Sequence, residues 1–413
     1  MRSITRIPRR AFLRALAAGA GAAAVGPFWL WSAREAWAAG SWDTSGWNSP
    51  GPLVRYPQKT ALILLTDRPP QLETPIQYFA SQLTPAEAFF VRWGHVGIIP
   101  TSFDLATWRL RIQGHVDRPL ALSLDDLRTG FPQVSFQAVN QCSGNSRRFF
   151  DPPVPGGEWG NGAMGNAEWT GVRLRDLLQA AGVRTGAVQV TVQGLDRPVL
   201  PQTPQFIKAL EIDHALSPEV LVAHSMNGRP LPVLNGFPAR LVVPGWYGTY
   251  WVKALSEITV VTERFEGFWM AKAYRIPDTP FASVPPGTVP ARTVPINRLD
   301  VRSFIIRPSP GSRLPRGKPV TLQGIAFDGG FGIQQVLVST DGGATWREAT
   351  LGRDYGRYAF RQWTVEWVPG GPGRYRLMVQ AINTIGEGQS LTPRWNPAGY
   401  MWNRIEHVDV EVV

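Results

Sequence analysis

The chain has 413 residues, 44% hydrophobic and 11% aromatic, with 42 glycines, 37 prolines and a formal charge of +11. That is enough apolar material for a full core and two domains, which excludes a disordered chain, and the Gly/Pro-rich composition without a heptad run favours strands and loops over a helical bundle. Residues 1–38 hold six Arg and one Glu, five of the eleven positive charges, which leaves +6 scattered singly through the rest; a nucleic-acid binder needs clustered charge, so that class is excluded.

In chain order, Arg9-Arg10-Ala11-Phe12-Leu13-Arg14 precedes an uncharged, Ala/Gly-rich run from Ala15 to Ala33 and then Ala36-Trp37-Ala38. This pattern predicts an export signal of the twin-arginine type over residues 1–38 and hence a periplasmic protein. Gly19, Gly21, Gly26 and Pro27 make the run a poor membrane span. Residues 39–70 lack periodicity and are expected to form an extended surface arm.

A mixed α+β domain is expected over 71–285. Its predicted elements are a strand over Thr107–Gly114, a short helix capped by Ser123, a strand over Val134–Val139, a helix over Val172–Ala181 closed by Gly182, and strands over Val188–Val192 and Ala239–Val243. Residues 201–238 read as Pro-punctuated loop with one short helix near Phe206–Leu210. After the Pro-rich stretch 284–290 the pattern changes, and residues 286–413 carry at least six short strands separated by turn residues, the spacing of an immunoglobulin-like sandwich. The six are Val301–Ile306, Val320–Phe327, Ile333–Ser339, Gln362–Trp367, Tyr375–Ala381 and Ile405–Val412. Ser339-Thr-Asp-Gly-Gly-Ala-Thr-Trp346 occurs once and reads as a hairpin device.

Cys142 is the only cysteine, so no intramolecular disulfide can form, and an exported chain that keeps a lone thiol needs another reason for it. It follows the strand ending near Val139 and precedes Arg147 and Arg148, whose charges favour a thiolate and attract an anion. Two chemistries follow. A cysteine hydrolase needs a His base, and none of the five histidines has a recognisable context. A protein-only zinc site needs further donors at metal spacing, which are missing; one protein sulfur suits a metal whose other ligands come from an organic cofactor.

Asn140-Gln-Cys142-Ser-Gly-Asn-Ser-Arg147 resembles the Cys-x-Gly-Asn-x-Arg signature of the sulfite oxidase family of molybdopterin enzymes. Phe89-Phe-Val-Arg92-Trp-Gly-His95, Gly156-Gly-Glu-Trp159, Asn166-Ala-Glu-Trp169, Gly194-Leu-Asp196, Asn235-Gly-Phe-Pro-Ala-Arg240, Trp251-Val-Lys253 and Phe268-Trp-Met-Ala-Lys-Ala-Tyr274 follow the family's order. The resemblance implies a β-rich molybdopterin domain followed by an immunoglobulin-like dimerisation domain. It makes Cys142 the protein ligand to molybdenum, places Arg92, Arg147, Tyr274 and Trp159 at the substrate, and sets His95, Asp196, Asn235, Arg240, Trp251 and Lys253 around the pterin and its phosphate. Within the family the chain is most similar to bacterial sulfite dehydrogenases. That implies sulfite as substrate, a c-type cytochrome as electron acceptor, no haem in this chain, and a homodimer or a heterodimer with a haem subunit. Arg92 and His95 stand one residue further apart than in the family motif, Asn235 stands where animal enzymes have His, and Trp395-Asn-Pro-Ala-Gly399 lacks an arginine that animal enzymes carry there. The open alternatives are a related molybdenum enzyme acting on another substrate, such as protein methionine sulfoxide, and an exported anion-binding scaffold.

Overall fold

The structure is a computed structural model and describes residues 48–93, 97, 98, 100 and 102–413. The expected export signal, the first part of the expected arm, and His95 lie outside the described residues.

Three sheets of four or more strands build most of the first domain. The first, in spatial order, joins Leu53–Arg55, Ala61–Thr66, Gln71–Glu73 and Val91–Arg92. This corrects the expected arm: Ala61-Leu-Ile-Leu-Leu-Thr66 is apolar enough to be a strand, and Leu62 is buried with Leu72, Val91 and Trp93. The second sheet runs Ile207–Glu211, Gln189–Gly194, Leu255–Val261, Leu110–Gly114 and Leu120–Leu122, with one parallel pairing between Leu255–Val261 and Leu110–Gly114. Its edge strand Ile207–Glu211 replaces the helix expected near Phe206–Leu210. Lys-Ala-Leu-Glu favours helix locally, but antiparallel pairing to Gln189–Gly194 overrides that preference. Leu110–Gly114 begins three residues later than expected, because Asp104 binds the amide of Ala106 and the hydroxyl of Thr107 and turns the chain there.

The third sheet positions the cysteine. Its long strands Gln133–Gln141 and Met164–Arg173 pair along nine positions, and Leu221–Met226, which the sequence reading left as loop, joins the far side of Met164–Arg173. Ser123 caps Leu124–Thr129 in a full capping box with Asp126, and Gly182, at φ +71°, closes Leu174–Ala181.

The C-terminal domain is the expected sandwich. One sheet joins Arg302–Arg307, Val320–Phe327, Arg361–Trp367 and Thr350–Leu351; the other joins Arg313–Leu314, Glu406–Val412, Gly373–Asn383, Ile333–Ser339 and Arg347–Glu348. Alternate residues such as Ile305, Leu322, Val336, Trp363, Leu377 and Val408 fill the space between them. The Ser339–Trp346 turn is tied by Asp341, which accepts from Ser339 Oγ, Thr345 N and Thr345 Oγ1.

The start of the described chain is fastened to the first domain by Glu73. This buried carboxylate accepts from Asn48 Nδ2, Ser49 N, Ser49 Oγ, Gly160 N and Gly162 N. Burial still raises its pKa, against the pull of the Asn48, Ser49 and Gly160 donors. Arg148 adds a bond to the carbonyl of Asn48, so the second arginine of the pair holds the chain's path.

Candidate active site

Cys142 stands where strand Gln133–Gln141 ends. Its amide donates to Ala163 O at 2.9 Å, continuing the strand pairing by one residue, and its carbonyl accepts from Asn145 N at 3.0 Å, which starts a tight reversal. Asn145 Oδ1 closes the loop by accepting from Ala163 N at 2.9 Å. Ser146 then takes a left-handed conformation, φ +69°, and the 3-10 turn Arg147–Phe149 swings Arg147 back beside the cysteine loop. The guanidinium runs through a sleeve of glycines. A Cβ on Gly144, Gly156 or Gly399 would lie 2.5, 2.4 or 2.9 Å from Arg147 atoms. Arg147 donates to Gly157 O and Ala398 O and lies over the ring of Tyr400, 5.2 Å from its centroid.

The half-buried thiol opens into a cleft of about 710 Å³ of atom-free space, counting the part open to solvent. Arg92, Asp196, Asn235, Arg240, Trp251, Lys253 and Tyr274 line this cleft with Cys142, so eight of the eleven residues named from sequence converge there. Arg147 sits behind the thiol loop and meets Tyr274 through Tyr400. Trp159 does not line the cleft: it is 1% exposed and belongs to the main core, as Trp169 does.

One end of the cleft is a dry cationic seat. Arg240 donates to the carbonyls of Asn235 and Trp251 and lies against the rings of Trp169 and Trp251. Burial lowers its pKa to about 9. Lys253 donates to Arg92 O and sits over Trp93; burial, with Arg240 and Arg92 adding repulsion, drives its ammonium well below its ordinary range. Among the described residues neither cation forms a salt bridge, and Asp196, raised by burial, is the nearby carboxylate that eases Lys253. Among the described residues, Arg240 Nε, Ser143 Oγ and Asn140 Oδ1 are buried without a protein partner, and all three residues line the cleft. Buried donors and acceptors left open beside unneutralised cations fit an anionic, heteroatom-rich ligand. A pterin with a phosphate tail is such a ligand, and Cys142 offers its metal one sulfur.

At the other end Tyr274 Oη lies 3.5 Å from Arg92 Nη2. Tyr274 has φ +54°, a conformation few non-glycine residues adopt, and burial raises its phenol pKa, so it stays a neutral hydrogen-bond donor. Phe206, Trp269 and Tyr400 pack around the ring, the last in parallel at 5.9 Å.

Several contributors were not legible as site residues. Lys59 is fully buried, donates to Ala86 O, Phe89 O and Asn235 Oδ1, and has its pKa lowered to about 7 by burial. Lys208, also lowered to about 7 by burial, donates to Trp269 O at 2.7 Å and lies over Tyr250 and Tyr274. From the C-terminal domain, buried Arg302 donates to Ser146 Oγ at 2.9 Å and to Glu406 Oε1 at 2.6 Å, holding the turn between Cys142 and Arg147. Their only sequence signal was a cation inside an apolar run.

Two family models match the chain: an oxidoreductase molybdopterin binding domain over residues 96–269 and a Mo-co oxidoreductase dimerisation domain over 293–412. Sulfite oxidase of Gallus gallus is 34% identical over 369 residues, covering 84% of this chain and 78% of the relative. Mitochondrial sulfite oxidase of Rattus norvegicus is 33% identical over 378 residues, covering 87% and 67%. The sulfane dehydrogenase SoxCD from Paracoccus pantotrophus matches in structure with a TM-score of 0.69 at 25% identity, over 83% of this chain and 87% of that one.

Proposed function

Because the chain belongs to the sulfite oxidase family and is a molybdopterin oxidoreductase, we propose that it oxidises sulfite to sulfate in the periplasm and passes the electrons to a c-type cytochrome. The observation that carries the reading is the lone thiol opening onto a buried arginine and a lysine that form no salt bridge among the described residues. Cys142 holds the molybdenum, Arg240 and Lys253 take the phosphate tail, and Asn235, Asp196 and Trp251 line the ring's place. When bound, the molybdenum cofactor supplies a two-electron acceptor and the oxygen transferred to sulfur.

The protein's part is binding and charge. Arg92 and Arg147 bring guanidinium groups, whose forked donors suit a small oxyanion that must be drawn from water. Tyr274 contributes a protonated phenol that can hydrogen-bond the anion without repelling it. Sulfite and one water give sulfate, two protons and two electrons; a one-electron haem acceptor must therefore be visited twice. The dimerisation domain supports a dimer, with itself or with a haem subunit.

The test is sulfite-dependent reduction of cytochrome c by purified protein whose molybdenum and pterin have been assayed. Molybdenum-loaded protein inert towards sulfite would overturn the reading. Replacing Arg9-Arg10 by Lys-Lys and fractionating cells tests the export route, since a periplasmic protein should then accumulate inside. A second reading, oxidation of sulfane sulfur, is favoured by the likeness to a sulfane dehydrogenase along most of both chains; the same assay with a sulfane donor in place of sulfite separates the two.

A further inference from the structure

The loop 395–400 of the C-terminal domain is built to hold one ring. Asn396, 2% exposed, donates from Nδ2 to Tyr400 O at 2.8 Å and accepts from Tyr400 N at 3.2 Å. Trp395 Nε1 anchors the loop to Pro152 O at 2.8 Å in the first domain. Gly399 takes φ +60° and leaves no room for a Cβ against Val154 and Arg147. The ring so fixed touches two groups. It stacks on Tyr274 with 6° between the planes, and the Arg147 guanidinium lies against it. Apart from that ring, among the described residues Arg147 has two main-chain acceptors, at 3.4 and 3.2 Å, and its Nε has no partner.

We infer that Tyr400 is a positioning residue for the anion pocket: its aromatic face sets the angle of the Arg147 guanidinium and the plane of Tyr274 together. This rests on the reading that the pocket takes a sulfur oxyanion. The ring does the positioning and the hydroxyl is dispensable, because both contacts are made to the π face. Cation–π and stacking contacts of this kind correspond to roughly a tenfold change in an equilibrium when lost. The second domain therefore contributes to anion affinity through a side chain that need not touch the anion.

The experiment compares molybdenum-loaded wild type, Tyr400→Phe, Tyr400→Leu and Tyr400→Met. Calorimetric binding of sulfate is one readout and steady-state sulfite kinetics the other. Tyr400→Phe should bind sulfate within about twofold of wild type, whereas Tyr400→Leu should lose on the order of tenfold, with KM for sulfite rising in step and kcat changing less. Tyr400→Met, which also lacks the ring but is more adaptable, should lose as much and stands in for Tyr400→Leu if that variant folds poorly. The inference is overturned if Leu and Met bind sulfate as wild type does, or if Phe loses as much as they do. Wild type that binds sulfate but does not turn over sulfite would sink the functional reading, and the sulfate comparison would still decide Tyr400.

Discussion

The two ends of the cleft are built in different ways. At the cationic seat, Asp196, Asn235, Arg240, Trp251 and Lys253 all come from one stretch of the first domain, and the charges are buried against aromatic faces and main-chain carbonyls. At the anion end, Arg92, Arg147, Tyr274 and Tyr400 come from four separate segments, one of them in the second domain, and Ser146 is pinned by Arg302 from that domain. A permanent occupant can be met by a dry seat that is costly when empty. A passing anion needs cations that stay charged without it, and these are held by distant scaffolding. Each end also has its own buried lysine, Lys59 bonded to Asn235 and Lys208 beneath Tyr274.

The largest effect should come from Cys142, the atom at which the ends meet. Cys142→Ser should lose molybdenum by metal analysis and at least about a thousandfold in sulfite turnover. Next, Arg302→Met leaves Glu406 without its cation and should destabilise the protein by about 3–5 kcal/mol in denaturant unfolding, with Arg302→Met/Glu406→Gln recovering part of it. If the ends are independent, Gly156→Ala, whose Cβ would meet Arg147 Nη1 at 2.4 Å at a position with φ +137°, should cost on the order of a hundredfold in kcat/KM while molybdenum content holds. Loss of molybdenum in that variant would break the comparison.

The lysines give a pH test in cofactor-free protein. Both have folded pKa values of about 7, below the usual 10.5, so between those values the unfolded chain binds more protons and stability rises with pH. Each should contribute up to about 1.4 kcal/mol per pH unit between pH 7.5 and 9.5, a slope that Lys59→Met and Lys208→Met should each reduce. Lys59→Met should also lower molybdenum content through Asn235, and Lys208→Met should not. The smallest effect expected is from Trp159→Phe. Its core position predicts a loss of about 1–2 kcal/mol of stability with KM for sulfite unchanged.

Much of this was legible in the sequence where one physical signal dominates. Short segments set off by turn residues marked Val320–Phe327 and Ile333–Ser339 to the residue, Ser123 and Gly182 marked two helix ends, and the family motifs gathered seven cleft residues around Cys142. The reading failed where a distant partner decides. Ile207–Glu211 is a strand because Gln189–Gly194 lies beside it, and Trp159 is core because the loop carrying it folds inward. Lys59 and Lys208 went unmarked, since nothing local tells a lysine that main-chain carbonyls await it. Tyr400 and Arg302 act more than a hundred residues from their targets, Tyr274 and Ser146, so no window of sequence contains either relation.

The clamp at Glu73 links the wear of the molecule to its chemistry. A protease that trims the chain past Ser49 removes three of the five donors to that carboxylate and the carbonyl that Arg148 holds. The two donors left, Gly160 N and Gly162 N, lie in the segment whose carbonyls accept from Ser146 N and Arg148 N, the neighbours of Arg147 on either side. Cleavage there would thus show first as fading affinity for anions, well before the sheets give way.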